Sequence, residues 1–193
     1  MSDFAAAEDG GNHTRREIDQ LSAVLETARM TARLIVPSDL DSLCRILCDP
    51  EAMIHYPKTL TREEAQEWLN RIFARYAEYG YAFWAWELKS SGEFVGQAGL
   101  LPQIVDGVLE MEVGYLFVRE HWHHGYAIEA ARASRDYGFK NHPVPHIISL
   151  IRPQNTPSIR VAERNGMTFD RDTTYKDIPH SVYKITRAEW EKL

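Results

Sequence analysis

The sequence predicts a single α/β domain in which helices cover both faces of one sheet. Three observations carry this prediction. Apolar residues switch between strand and helix spacing in the order β-α-α-β-β-β-α-β-α-β-β. Cap and stop residues bracket the longer helices. The chain has 193 residues, 44% hydrophobic and 26% charged, enough to bury one sizeable core.

Residues 1–16 are polar and glycine-containing and are expected to form a disordered tail, leaving 17–193 as the domain. Ile18, Leu21, Val24, Leu25 and Ala28 recur at helical spacing and predict an N-terminal helical extension over 17–28. MTARLIV reads as a strand that Pro37 ends. Ser38 then caps a helix running to Leu47, with Leu40, Leu43, Cys44 and Leu47 on one face. DPEAMIHYPK is a loop or broken helical turn.

The next helix is better marked. Thr61 and Glu64 form a capping box at its start, and Gly80 closes it. YAFWAWELK and EFVGQAGLLP read as strands around the turn SSG. LEMEVGYLFV is another strand, followed by a helix from Tyr126 to Lys140. VPHIISLI is a short strand. Thr156 as N-cap, Pro157 in the first turn and Gly166 past the last predict a compact helix. MTFDRDTTYKD and HSVYKITR close the domain as a strand pair.

Composition narrows the function classes. A net charge of −6 argues against general nucleic-acid binding and is mildly compatible with cationic substrates. No apolar stretch has the length of a membrane span, and the N-terminus lacks a secretory pattern, so the expected location is cytoplasmic with no membrane partner. Cys44 and Cys48, four residues apart on one helix face, read as small apolar side chains; no second pair sits near enough for a zinc site.

The segment YLFVREHWHHGYAIEAA carries most of the chemistry. An apolar strand ends in a polar loop, a glycine follows, and a helix opens on small residues. A helix starting this way presents unpaired N–H groups at the positive end of its dipole, a receptor for phosphate. Gly125 permits close backbone approach, and amides from His123 to Ala127 could converge on an anion. Ala127, Ala130, Ala131 and Ser134 form a small-residue face for tight packing. Glu129 suits the first turn on dipole grounds alone. His121, His123 and His124 are too crowded to face one ion, so no metal is expected; they read as polar loop residues assisting Arg119 with phosphate.

On the strand before that loop, Met111, Val113, Tyr115 and Phe117 point one way, and Glu110, Glu112, Gly114, Leu116 and Val118 the other. Strand geometry alone favours a solvated acidic face. The phosphate-type loop reverses that preference, and Gly114 would let a ligand approach.

Together these residues resemble the GNAT superfamily of N-acetyltransferases, and within it the ribosomal-protein-alanine acetyltransferase-like branch. EVGYLF leading into WHHGYAIEA, the later NTPSIRVAERNGM, DPEAMIHYP and GEFVGQAGL match the family's pattern in order, over roughly Ala28 to Ile185. The resemblance implies a GNAT-like fold with a mixed, mostly antiparallel central sheet. It also implies acetyl-CoA (acetyl-coenzyme A) as co-substrate and an amine as acceptor. The amides of His123, His124, Gly125, Tyr126 and Ala127 would hold the pyrophosphate, Asn155 would touch the pantetheine arm, and the backbone of Phe117 and Val118 would pair with its amides like an added strand. In one departure, Trp122 and His123 replace the usual Gln/Arg-type position and first glycine of the pyrophosphate loop.

The same resemblance assigns chemistry. A lysine-type amine, with a reference pKa of ~10, must lose a proton before it attacks the thioester. Glu112 is the candidate base and Glu110 the second. A backbone N–H near Val118 would meet the oxyanion. Ala162 stands where many members carry a tyrosine acid, and Ser158 is its substitute. His55, Tyr56 and Trp84, with Trp86, are candidates for the acceptor pocket. The expected function is N-acetyl transfer to a protein N-terminus or small amine by direct attack in a ternary complex; the alternative is a non-catalytic acyl-coenzyme A sensor. A homodimer is open.

Overall fold

The computed structural model describes residues 23–193. Eight strands form one sheet: β1 (Ala23–Glu26), β2 (Met30–Leu34), β3 (Phe83–Leu88), β4 (Phe94–Val105), β5 (Val108–Phe117), β6 (His146–Ile151), β7 (Thr168–Tyr175) and β8 (Ile178–Thr186). Their spatial order is β1-β2-β3-β4-β5-β6-β8-β7. Every neighbouring pair is antiparallel except β5 and β6. The helices are α1 (Leu40–Leu47), α2 (Arg62–Tyr79), α3 (Tyr126–Asn141), α4 (Thr156–Arg164) and the short α5 (Arg187–Trp190). This is the predicted α/β architecture, a mixed and mostly antiparallel sheet between two helix layers.

Each sheet face buries its own core. Leu43, Ile46 and Leu47 of α1 and Ala65, Leu69 and Ile72 of α2 pack on Phe83, Ala85, Leu101 and Val118. On the other face Ala130, Ala131 and Phe139 of α3 and Ala162 of α4 pack on Trp84, Trp86, Met111, Val113 and Phe117. The β5 alternation is therefore as predicted. The small-residue face of α3 allows this close approach: a Cβ on Gly138 would lie 2.8 Å from Ile147 Cδ1.

Local signals set the helix ends well. Thr61 and Glu64 form the capping box of α2, and Gly80 ends the helix at φ +79°. Two starts differ from prediction by one residue. α1 begins after Asp39 rather than being capped by Ser38; Pro37–Asp39 form a 3-10 turn, and the Asp39 carboxylate accepts from Val36 N–H and Arg33. α4 is capped by Asn155, whose Oδ1 accepts from Ser158 N–H, with Thr156 already helical.

The predicted helical extension is corrected over its described part. Ala23–Glu26 is an edge strand paired with Thr31–Arg33, and residues 1–22, which include the expected tail, lie outside the described residues. Val24 and Leu25 satisfy either period; a sheet edge at β2 gives the extended form its hydrogen bonds. Among the described residues no helix is long and apolar enough to cross a membrane.

Candidate active site

The site forms where the sheet nearly divides. β5 and β6 share a single register pair, Glu112 with Ile148. Past it, side chains replace the ladder: Ser149 Oγ donates to Val113 O at 2.7 Å, and Leu150 N–H donates to Glu112 Oε1 at 3.2 Å. Toward its C-terminal end β5 therefore presents an open edge.

Glu112 is 8% exposed, and its second oxygen accepts from Gln103 Nε2 at 2.8 Å. Gln103 Oε1 in turn accepts from the Tyr175 hydroxyl at 2.5 Å. Burial pushes the Glu112 carboxyl up to about 7, against the opposing pull of these hydrogen bonds and of Arg75 and Lys176. The acidic face of β5 is thus buried, and this carboxyl is poised near neutrality. Glu110, 9% exposed, pairs with His146 Nε2 at 2.6 Å.

Gly114 has a structural use. A Cβ there would stand 3.0 Å from Phe83 Cε1 and 3.3 Å from Leu101 Cδ1, so the missing side chain makes room for Phe83 and not for a ligand.

The acceptor-side candidates divide. The Tyr56 ring meets Trp68 edge-on at 6.2 Å, and burial, with the nearby Glu112 charge, holds its hydroxyl protonated far above neutrality. His55 is partly buried, and desolvation together with Arg152 lowers its pKa. Trp84 is not in the pocket: it is 2% exposed and packs edge-on against Tyr137 of α3 at 5.1 Å. Trp86 is equally buried, its Nε1 donating to Ala98 O. β3 alternation directs both toward the α3 layer, away from Tyr56.

Across the open edge, the Tyr115 hydroxyl donates to Ser158 O at 2.9 Å. Ser158 stands in the first turn of α4, where its N–H donates to the Asn155 cap, and sequence reasoning had not paired it with Tyr115. Burial raises the Tyr115 pKa, and its proton is committed to that carbonyl.

The backbone at the strand end corrects one expectation. Val118 N–H donates to Val95 O at 2.9 Å and is unavailable for an oxyanion. Main-chain groups alternate in an antiparallel pair, so it is Phe117 and Tyr115 that face the open edge. Phe117 O is taken by Trp122 Nε1 at 2.8 Å, leaving Phe117 N–H as the donor there.

The following loop has the form of an anion cradle. His123 at φ +64° and Gly125 at φ +79° alternate with residues of negative φ, which turns successive N–H groups to one side. Histidine is among the side chains that tolerate this region, so the glycine missing at 123 is not needed. Among the described residues no protein acceptor meets the N–H groups of His123, His124, Tyr126 or Ala127. Arg29 clamps the loop from the bend just before β2: its guanidinium donates to His124 O at 2.8 Å, pairs with Glu129 at 2.6 Å and lies 4.6 Å over the Tyr126 ring. Arg119 instead turns away to Asp49 and Glu51. The amide oxygen of Asn155 is spent on the α4 cap. Among the described residues no group of three His, Cys, Asp or Glu could hold a metal.

Sequence reasoning missed Gln103, Tyr175 and Arg29. Gln103 carried a signal, a polar residue inside the apolar strand GLLPQIV.

Known proteins share the sequence pattern and the fold. The model of the acetyltransferase (GNAT) domain matches residues 29–168. The Bacillus subtilis protein YkkB is 38% identical over 161 residues, covering 83% of this chain and 94% of the relative. The crystal structure of an acetyltransferase from Agrobacterium tumefaciens is similar with a TM-score of 0.75 and 28% identity, covering 84% of this chain and 94% of that one. The aminoglycoside acetyltransferase AAC(6')-Ib, solved in complex with coenzyme A, shares the fold with a TM-score of 0.71 at 20% identity, covering 84% and 98%.

Proposed function

The chain belongs to the GNAT acetyltransferase family, an acyltransferase by that membership, and we propose that it moves the acetyl group of acetyl-CoA onto a primary amine by direct attack within a ternary complex. The observation that carries this reading is the buried Glu112 carboxyl, pushed up to about 7 beside the open edge of β5.

A general base works best with a pKa near the operating pH. With its carboxyl pushed up to about 7, Glu112 can take the ammonium proton near neutral pH, directly or through a water. The amine nitrogen then bonds to the thioester carbon. Negative charge grows on the carbonyl oxygen, where Phe117 N–H is the donor suited to receive it. As the C–S bond breaks, the thiolate leaves; a thiol pKa of ~8.5 makes strong acid help dispensable, and Ser158 is the residue the family resemblance offers for any help needed. The amides from His123 to Ala127 fit the pyrophosphate, and the open C-terminal edge of β5 fits the pantetheine amides. The CoA-bound state of the similar AAC(6')-Ib supports the same donor.

The test is calorimetric titration with acetyl-CoA, using NAD and ATP as controls, followed by thiol release across a broad amine panel. Selective acetyl-CoA binding and amine-dependent thiol release are expected. Binding with no release from any amine would favour the sensor reading; no binding would overturn both.

A further inference from the structure

The proposed catalytic carboxyl shares its side of the sheet with a group of cations. Glu112 and Ile148 are partners in a parallel pair and point to one face. Strand alternation carries Leu150, and then Arg152 just past the end of β6, onto that face. β8 pairs Leu150 with Val182 and Ile151 with Ser181, which brings His180 alongside Arg152. The β7–β8 turn places Lys176 near Glu112, and α2 contributes Arg75. The chain before α2 contributes His55 and Tyr56.

Arg152 is the member with an unmet need. Its Nε is buried and has no hydrogen-bond partner among the described residues, and no described carboxylate lies within ion-pair distance of it. A buried guanidinium N–H left unpaired costs more than an ordinary lost hydrogen bond. Burial and the Arg152 charge lower the pKa of both His55 and His180, which disfavours their charged forms. The wider composition does not explain the group, since the chain carries a net charge of −6.

We propose that Arg152 anchors an anionic group of the acceptor, and that the acceptor is an amine bearing a carboxylate, such as a free amino acid. A planar guanidinium recognises a carboxylate bidentately, and the unpaired Nε–H is one of the donors it would use. Lys176 and Arg75 add attraction at longer range, and a polycationic amine is disfavoured by the same charges.

The inference rests on the acetyl-transfer reading, and its test separates the two. Acetyl-CoA-dependent thiol release is compared for L-amino acids, their carboxamides, spermidine, and short peptides with an acidic second residue. Amino acids are expected to exceed their carboxamides in kcat/KM by roughly 10- to 100-fold, the value of a charge-assisted pair. Peptides matching the amino acids would move the carboxylate from the α-position to a side chain while keeping the anchor. Arg152→Gln is expected to collapse the acid-to-amide ratio toward one, chiefly through KM, and Arg152→Lys to restore part of it. Retained heat of acetyl-CoA binding shows that each variant is folded. Equal use of carboxamides or spermidine by the unaltered enzyme, or an unchanged ratio in Arg152→Gln, would overturn the anchor alone. Thiol release from no amine would remove both readings.

Discussion

Leu150 N–H donates to Glu112 Oε1 at 3.2 Å, at the point where β5 and β6 stop pairing. The carboxylate thus takes over a bond that a continuous parallel ladder would give to backbone. The proposed base is held by main chain on one side and by Gln103 on the other. Its orientation is fixed before any substrate enters.

Replacing Glu112 by Gln should leave acetyl-CoA binding nearly intact and lower turnover by roughly 10²-fold or more. Calorimetry and steady-state kinetics on the same preparation separate the two effects. Unchanged turnover over a full pH profile would remove Glu112 as the base.

The pH profile should carry the same signature. The base acts in its deprotonated form, so kcat/KM should rise with pH through about 7. The Gln103 bond lowers the Glu112 pKa, so Gln103→Leu should move this limb to higher pH. A limb that persists at the same pH in Glu112→Gln would assign it to another group.

Stability should change with pH in the opposite sense to most carboxylates. Glu112 is raised from 4.5 to about 7 on folding, so the folded state binds its proton more tightly than the unfolded chain. Its ionisation therefore costs stability as pH rises from about 4.5 to about 7, by up to about 3 kcal/mol. Urea unfolding at pH 5 and pH 8 should show the protein losing ground to Glu112→Gln between the two. A gap that is constant with pH would contradict the shift.

The cradle can be probed at His123. Its φ of +64° suits glycine and is hard for a β-branched side chain. His123→Gly should keep acetyl-CoA affinity, whereas His123→Val should weaken it by roughly tenfold or more, the equivalent of 1–2 kcal/mol of backbone strain. Equal affinities in the two variants would mean that the loop amides do not hold the coenzyme.

Asn155 has two separable roles. Asn155→Ala should cost about 1 kcal/mol of stability through the lost α4 cap, and Asn155→Ser should recover most of it. If the amide also touches the pantetheine arm, both variants lose coenzyme affinity alike. Affinity that recovers with the serine cap would leave Asn155 purely structural.

The legible parts of the fold were those written locally. The α2 capping box, Gly80, and the small residues of α3 each need only their neighbours in sequence. Glu112 and the loop at Gly125 stand on one strand-loop-helix unit, so sequence could find both. What joins Glu112 to Gln103, Tyr175 and Leu150 is pairing between distant segments, which spacing does not encode. Trp84 shows the same boundary: alternation groups it with Trp86 but does not say which layer covers that face. Val24 and Leu25 fit either period until β2 supplies a partner. The Asp106–Gly107 turn between β4 and β5, at φ +51° and +80°, is a local hairpin signal that sequence reading did not use.

The clamp from Arg29 onto His124 and Glu129 means that the loop has already met its ordering cost during folding. A coenzyme arriving at such a loop loses its own freedom but little of the protein's. Its capture should then be governed by encounter rather than by rearrangement, and variants around the loop should differ mainly in residence time.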